Sequence, residues 1–200
     1  SPSKQFDKLI QTYVKNISDV NPRIRTNHEL EVRFGTKGIK QLTKNDYDNV
    51  VKVLKSFGFK TFSPDGICHL RTRCEFLDSA TGRFKMSDVR TELSGLRSIE
   101  KLCKSNDIET VYKEEPRSVK FIHKRPFITP EKEFLRPVNF DDFNFRVTYS
   151  LEQPATKNVE SYVIDNWKKS KKEFRYLNRV TFTHPDYPVL VDISITKSGN

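Results

Sequence analysis

The sequence predicts an α+β protein in which antiparallel strands are flanked by a few helices, and three observations carry that prediction. Two stretches near the start repeat apolar residues at helical spacing. After Gly66 the pattern changes to strict alternation and largely stays there. Along each alternating stretch one face is oily, while the other mixes Arg, Lys, Glu, Asp, Ser and Thr.

Phe6, Leu9, Ile10, Tyr13, Val14 and Ile17 recur at helical spacing, so the chain opens with an amphipathic helix whose apolar stripe covers part of the core. Asn21-Pro22 ends it. Glu29-Leu30-Glu31-Val32-Arg33-Phe34-Gly35 follows, alternating charge with apolar bulk and stopping at a glycine. On a strand, Glu29, Glu31 and Arg33 share one face and Leu30, Val32 and Phe34 the other. Two carboxylates about 7 Å apart on one strand face can converge on a single hard cation, and the arginine next in line can meet the anion the cation carries. A half-buried strand with a solvated charged face has the same pattern. Thr43 with Asp46 three residues on forms a capping box for a second helix, whose apolar face is Tyr47, Val50, Val51, Leu54 and Phe57 and whose end is Gly58.

Beyond Pro64-Asp65-Gly66, His69 to Phe76 places Arg71, Arg73 and Glu75 opposite Leu70, Thr72, Cys74 and Phe76. Residues 78–82 form a turn, and Phe84 to Glu92 returns with Asp88, Arg90 and Glu92 in phase, which is a hairpin. Ser94 to Lys104 is expected to be a short helix with Leu96, Ile99 and Cys103 inward. Ser118 to Arg125 brings Lys120 and Lys124 into phase and leads into a proline-marked connection from Pro126 to Pro137. In the next strand Phe145, Val147, Tyr149 and Leu151 face one way and Arg146, Thr148, Ser150 and Glu152 the other, with Pro154 closing it. Asn158 to Lys172 fits a helix or a loop. Phe174 to Phe182 sets Arg175, Leu177, Arg179 and Thr181 against Phe174, Tyr176, Val180 and Phe182. In the last strand, Val189 to Thr196, Val189, Val191, Ile193 and Ile195 oppose Asp192, Ser194 and Thr196.

A chain of 200 residues with a formal net charge of +10 suits one domain or two small ones and favours a partner carrying phosphate. Non-specific nucleic-acid binding fits the same charge. Cys68, Cys74 and Cys103 lack CxxC or Cys/His ligand spacing and are expected to be reduced thiols of an intracellular protein. No apolar run approaches the ~20 residues a membrane-spanning helix requires, and nothing at the start resembles a secretory signal. The alternation fits an antiparallel sheet with one solvated face, and equally a closed barrel with its charged face inward. The two differ in energy: an ion pair at 4 Å is worth about 1 kcal/mol in water and about 4 kcal/mol at an effective dielectric near 20.

Glu29-Leu30-Glu31-Val32-Arg33-Phe34-Gly35 resembles the first-strand motif of the triphosphate tunnel metalloenzymes, in particular the metal-dependent RNA 5'-triphosphatases of fungal and giant DNA virus mRNA capping systems. The stretch Phe145 to Pro154, where Arg146 precedes Glu152 by six positions, is similar to a later strand of that family. Arg175-Tyr176-Leu177-Asn178-Arg179 looks like its basic strand, and Val191-Asp192-Ile193-Ser194-Ile195 like the strand after it. The resemblance implies one domain over residues 1–200, an antiparallel β-barrel forming a tunnel with a charged interior, which hydrolyses the γ-phosphate of 5'-triphosphate RNA ends. It implies that Glu29 and Glu31 hold Mg²⁺ or Mn²⁺, hard ions that prefer oxygen. Arg33, Arg90, Lys120, Arg146, Arg175 and Arg179 would line the tunnel, with Arg146 and Arg179 beside Glu152 at the reacting phosphate. Glu152 would orient or deprotonate the attacking water, and Asp192 would hold a neighbouring cation or water. The implied partners are the RNA 5' end, and guanylyltransferase and methyltransferase modules on the same polypeptide, in a virion or a cytoplasmic viral factory.

Two departures from the family pattern stand out. Leu177 occupies the middle of the basic strand, where a third cation is expected. The family's closing strand, with a second glutamate pair, has no match before Asn200 and is expected beyond it; Glu131-Lys132-Glu133 has the spacing but lies between prolines and ahead of the other motifs. Inorganic polyphosphate or a nucleoside triphosphate is an alternative substrate for the same fold, and a non-catalytic basic RNA-binding β domain is the alternative of another class.

Overall fold

The structure, a computed structural model, describes residues 1–23, 25–35 and 42–199. In chain order its elements are α1 (Pro2–Asp19), β1 (His28–Phe34), α2 (Lys44–Ser56), β2 (Ile67–Asp78), β3 (Arg83–Ser94), α3 (Leu96–Ser105), α4 (Ile108–Glu114), β4 (Val119–Pro126), β5 (Val138–Phe140), β6 (Phe145–Pro154), α5 (Lys157–Asp165), β7 (Lys171–His184) and β8 (Tyr187–Gly199). They fall into two compact units, Ser1–Leu42 with His123–Gln153, and Thr43–Ile122 with Pro154–Asn200. The strand pairs β1–β6, β2–β3, β2–β7, β5–β6 and β7–β8 are antiparallel, as the turn signals imply.

In the first unit β1 pairs with β6, with His28 opposite Leu151 and Phe34 opposite Phe145, while β5 pairs with β6 through Val138 and Val147. Val147 and Tyr149 are the inward residues of β6 and form a core with Leu9, Leu135 and Val138. Phe6, Ile10 and Tyr13 of α1 and Leu30 of β1 pack against that core, so the helix stripe read from the sequence covers this sheet. Tyr149 is fully buried, and its hydroxyl needs partners there. Asn16 Nδ2 donates to it over 3.1 Å, and the His28 ring is hydrogen-bonded to it as well.

In the second unit the strand order is β3, β2, β7, β8. Leu70, Cys74, Val89 and Leu93 form the oily layer of the β2–β3 hairpin. Ile99 and Leu102 of α3, Ile108 and Val111 of α4, Val163 of α5 and Trp167 cover it. Helix α3 turns Ser98, Ile99 and Leu102 inward rather than the expected Leu96, Ile99 and Cys103, and Cys103 is exposed. Helix α4, which the periodicity did not reveal, is too short for a pattern to develop; the Asp107 carboxylate caps it by accepting from the Thr110 amide over 3.1 Å. The undecided stretch 158–172 is helix α5, capped by Thr156, followed by a turn that buries Trp167 against Asn106, which accepts its indole N–H over 3.1 Å.

Helix α2 begins at the expected capping box, with Thr43 and Asp46 satisfying each other's backbone N–H groups. Its apolar face is not core: no residue of α2 is buried, and Val50 and Phe57 are 47% and 71% exposed. The apolar face of β8 is likewise open at Val189 and Ile195, as expected of the last strand in the order, which has a neighbour on one side only.

Candidate active site

In the first unit the charged faces of β1 and β6 meet at fixed register: Glu29 lies across from Ser150, Glu31 from Thr148 and Arg33 from Arg146. Sheet alternation puts all of these on the face opposite Val147 and Tyr149. Lys124 of β4 points its ammonium at the carboxylates, with Nζ 3.0 Å from Glu29 Oε2, 3.8 Å from Glu31 Oε2 and 3.7 Å from Glu152 Oε2. Three carboxylates thus share one ammonium. Half-buried oxygen donors of this kind suit a hard divalent cation. Among the described residues no group of acidic, histidine or cysteine side chains is gathered closely enough to ligate an ion directly.

Arg146 is oriented by Asn139 of β5, whose side-chain oxygen accepts from Nε over 2.9 Å. Arg33 is exposed and sits directly across from Arg146. Two like charges at opposed positions of a strand pair repel, and an anion bound to both removes the penalty. Of the acidic pair in the proline-marked connection, Glu133 pairs with Lys8 at 3.2 Å on the surface.

In the second unit one carboxylate contacts two arginines. Glu92 Oε1 lies 2.6 Å from Arg90 Nε and 3.1 Å from Arg71 Nε. Arg71 is directly opposite Glu92 on one side and Arg175 on the other, so Arg90, Arg71 and Arg175 come from three successive strands. Arg179 Nη1 lies 3.8 Å from Asp192 Oδ2 and its Nε donates to Ser194 Oγ over 3.4 Å, while Thr181 donates to Asp192 Oδ1 over 2.6 Å. Asp192 is thus an ion-pair partner of Arg179. His69 is next to Leu177 on this face, and its imidazole is kept below the ordinary histidine range by burial and then by Arg179, with Glu92 opposing. Leu177, 2% exposed, belongs to neither apolar cluster: it fills the charged face between Arg175 and Arg179, flanked by His69 and Thr196. Arg175 and Lys120 are exposed.

The structure brings Glu152 to the same ammonium as the expected metal pair Glu29 and Glu31 and sets Asp192 against Arg179, while Lys124, Arg71, Glu92, His69 and Asn139 are contacts the site expected from the sequence does not include. The available signal was phase: Lys124, Arg71 and Glu92 all fall on charged faces of the alternation.

The first unit thus carries a carboxylate trio around one cation, and the second carries arginines from successive antiparallel strands. Solved structures of the same fold come from a giant virus. The chain is similar to the RNA triphosphatase domain of a trifunctional mimivirus mRNA capping enzyme, at 15% identity and TM-score 0.56, over 96% of this chain and 77% of that one. It is equally similar to the triclinic structure of the mimivirus capping enzyme triphosphatase, at 16% identity and TM-score 0.56, over 96% and 78% of the two chains. A monoclinic form matches at 14% identity and TM-score 0.56, over 98% and 79%. At these identities the likeness establishes the fold, which is the α+β tunnel fold that the four sequence motifs point to. No protein-family model matches the chain, and no curated protein matches it.

Proposed function

We propose that this chain is a metal-dependent RNA 5'-triphosphatase, removing the γ-phosphate from 5'-triphosphate RNA ends as the first step of mRNA capping. The observation that carries the reading is the set of Glu29, Glu31 and Glu152 around one cation at 3.0–3.8 Å, on the fold of the mimivirus triphosphatase structures. Glu29 and Glu31 are the residues that would hold Mg²⁺ or Mn²⁺, which would supply Lewis-acid polarisation of a phosphoryl oxygen. Glu152, on the same strand face as Arg146, orients the attacking water and accepts its proton. Arg146, with Arg33 directly across from it, would stabilise the charge that develops on the transferred phosphoryl group, while Arg90, Lys120, Arg175 and Arg179 keep the phosphate-neutralising role that the resemblance implies. Asp192 orients Arg179, to which it is paired.

The RNA 5' end is the substrate; guanylyltransferase and methyltransferase modules on the same polypeptide, and action in a virion or cytoplasmic viral factory, belong to the same proposal. Among the described residues no helix is long and apolar enough to cross a membrane. The test is phosphate release from triphosphate-ended RNA, inorganic triphosphate and ATP, with Mn²⁺, Mg²⁺ or chelator. It is run on this chain and on one extended by about forty residues, the length of a few strands and loops. Metal-dependent release with preference for RNA is expected; salt-sensitive RNA binding with no release by either chain refutes the enzyme in favour of a basic binding domain.

A further inference from the structure

We propose that Lys124 is a tethered cation that holds the Glu29, Glu31 and Glu152 carboxylates together, and that a divalent ion binds by taking its place and releasing the ammonium. The inference rests on the metal assignment above and adds to it a resident competitor.

Carboxylates brought together from two paired strands repel one another, and the Lys124 ammonium, 3.0, 3.7 and 3.8 Å from the nearest oxygen of each, offsets that repulsion in the absence of metal. A lysine ammonium is a compact point charge with three rotatable donors on a flexible four-carbon stem. It can therefore fill a cation position and leave it without moving strand β4. A divalent ion would have to lie about 2.0–2.2 Å from the same oxygens, which leaves no room for a second positive centre among them. Exchange is the arrangement that satisfies both.

Ser150 supplies an independent sign that an oxygen-coordinated ligand belongs here. It stands directly across from Glu29, is 3% exposed, and its hydroxyl has no hydrogen-bond partner among the described residues. A buried hydroxyl without a partner is costly. The Lys124 ammonium is turned to the carboxylates and does not satisfy it, whereas water in the shell of a bound ion would.

The experiment is a direct titration of the full chain with Mn²⁺, without RNA, following the spectroscopic signal of free Mn²⁺. Lys124→Met is expected to bind Mn²⁺ about tenfold more tightly than the wild type, because the ion no longer displaces an ammonium. Arg125→Met removes the same formal charge from the exposed neighbouring position and is expected to change affinity by less than about threefold. Tightening of equal size in both variants overturns the proposal in favour of a general charge effect, as does unchanged or weaker binding in Lys124→Met. A second readout uses the wild-type protein, in case the carboxylates without their lysine fail to fold. Reductive methylation of Lys124, read by mass spectrometry, is expected to be several-fold faster with Mn²⁺ than without, and an equal rate overturns the proposal. Binding that Glu29→Gln abolishes but Lys124→Met leaves unchanged refutes this inference alone. No Mn²⁺ binding by any of these proteins refutes the metal assignment as well.

Discussion

Replacing Glu92 by glutamine tests how the arginine row is held. Its carboxylate lies 3.1 Å from Arg71 Nε and 2.6 Å from Arg90 Nε, and the side chains of Arg71, Arg90 and Glu92 are only 20%, 11% and 16% exposed. At about 3 Å and an effective dielectric near 20, each pair attracts by about 5 kcal/mol before the cost of desolvation is subtracted. Removing one partner of a buried pair costs about 3–5 kcal/mol, because the other charge stays buried and uncompensated. Partial access to water lowers this to about 2–3 kcal/mol for Glu92→Gln. In a chain of this size that corresponds to a fall in Tm of about 4–12 °C. Glutamine preserves the shape and one acceptor oxygen, so the loss reports charge. Thermal and urea unfolding of the wild type, Glu92→Gln and Arg71→Met/Glu92→Gln measure it, and the double variant should recover part of the loss by removing one of the two guanidinium groups that Glu92 contacts. In RNA triphosphatase assays the single variant should raise KM more than it lowers kcat. A Tm within about 2 °C of wild type would refute the idea that one carboxylate organises these arginines.

Glu29→Gln and Glu31→Gln are each expected to reduce Mn²⁺-dependent phosphate release by about a hundredfold or more while leaving Tm within a few degrees; near-normal turnover in both variants removes the pair from the metal site. Glu152→Ala should lower kcat by about 10²–10⁴-fold with little loss of triphosphate affinity, measured by binding to a non-hydrolysable analogue. Leu177→Ala should cost about 2–4 kcal/mol in urea unfolding, because Leu177 is buried and its truncation leaves a cavity. His69 binds its proton less readily folded than unfolded, so the unfolded chain takes up protons first as pH falls. Stability should therefore decline on going below about pH 6.5, through the lowered folded value, and His69→Asn should flatten that part of the profile between pH 7 and 5.5.

Periodicity along the chain determined which residues could share a face. Glu29 with Glu31, Arg146 with Glu152, Arg175 with Arg179, and the helix stripe centred on Leu9 all follow from spacing alone, because strand and helix periods are local properties of the backbone. The capping box at Thr43 and Asp46 is equally local, being contained within four residues. Four short motifs in order were enough to point to the tunnel fold. What neighbours what was not in the spacing. The sequence placed Lys124 on a charged face, but only the pairing of β1 with β6 and the course of β4 bring its ammonium to three carboxylates. Glu92 became the partner of Arg71 and Arg90 through the register of the β2–β3 hairpin. Leu177 had the phase of a charged position but the environment of a core residue, and α2 had an amphipathic pattern but no buried residue. Strand register, and the layer that covers a face, are set by hydrogen bonds and packing between residues far apart in the chain, which a local period does not encode.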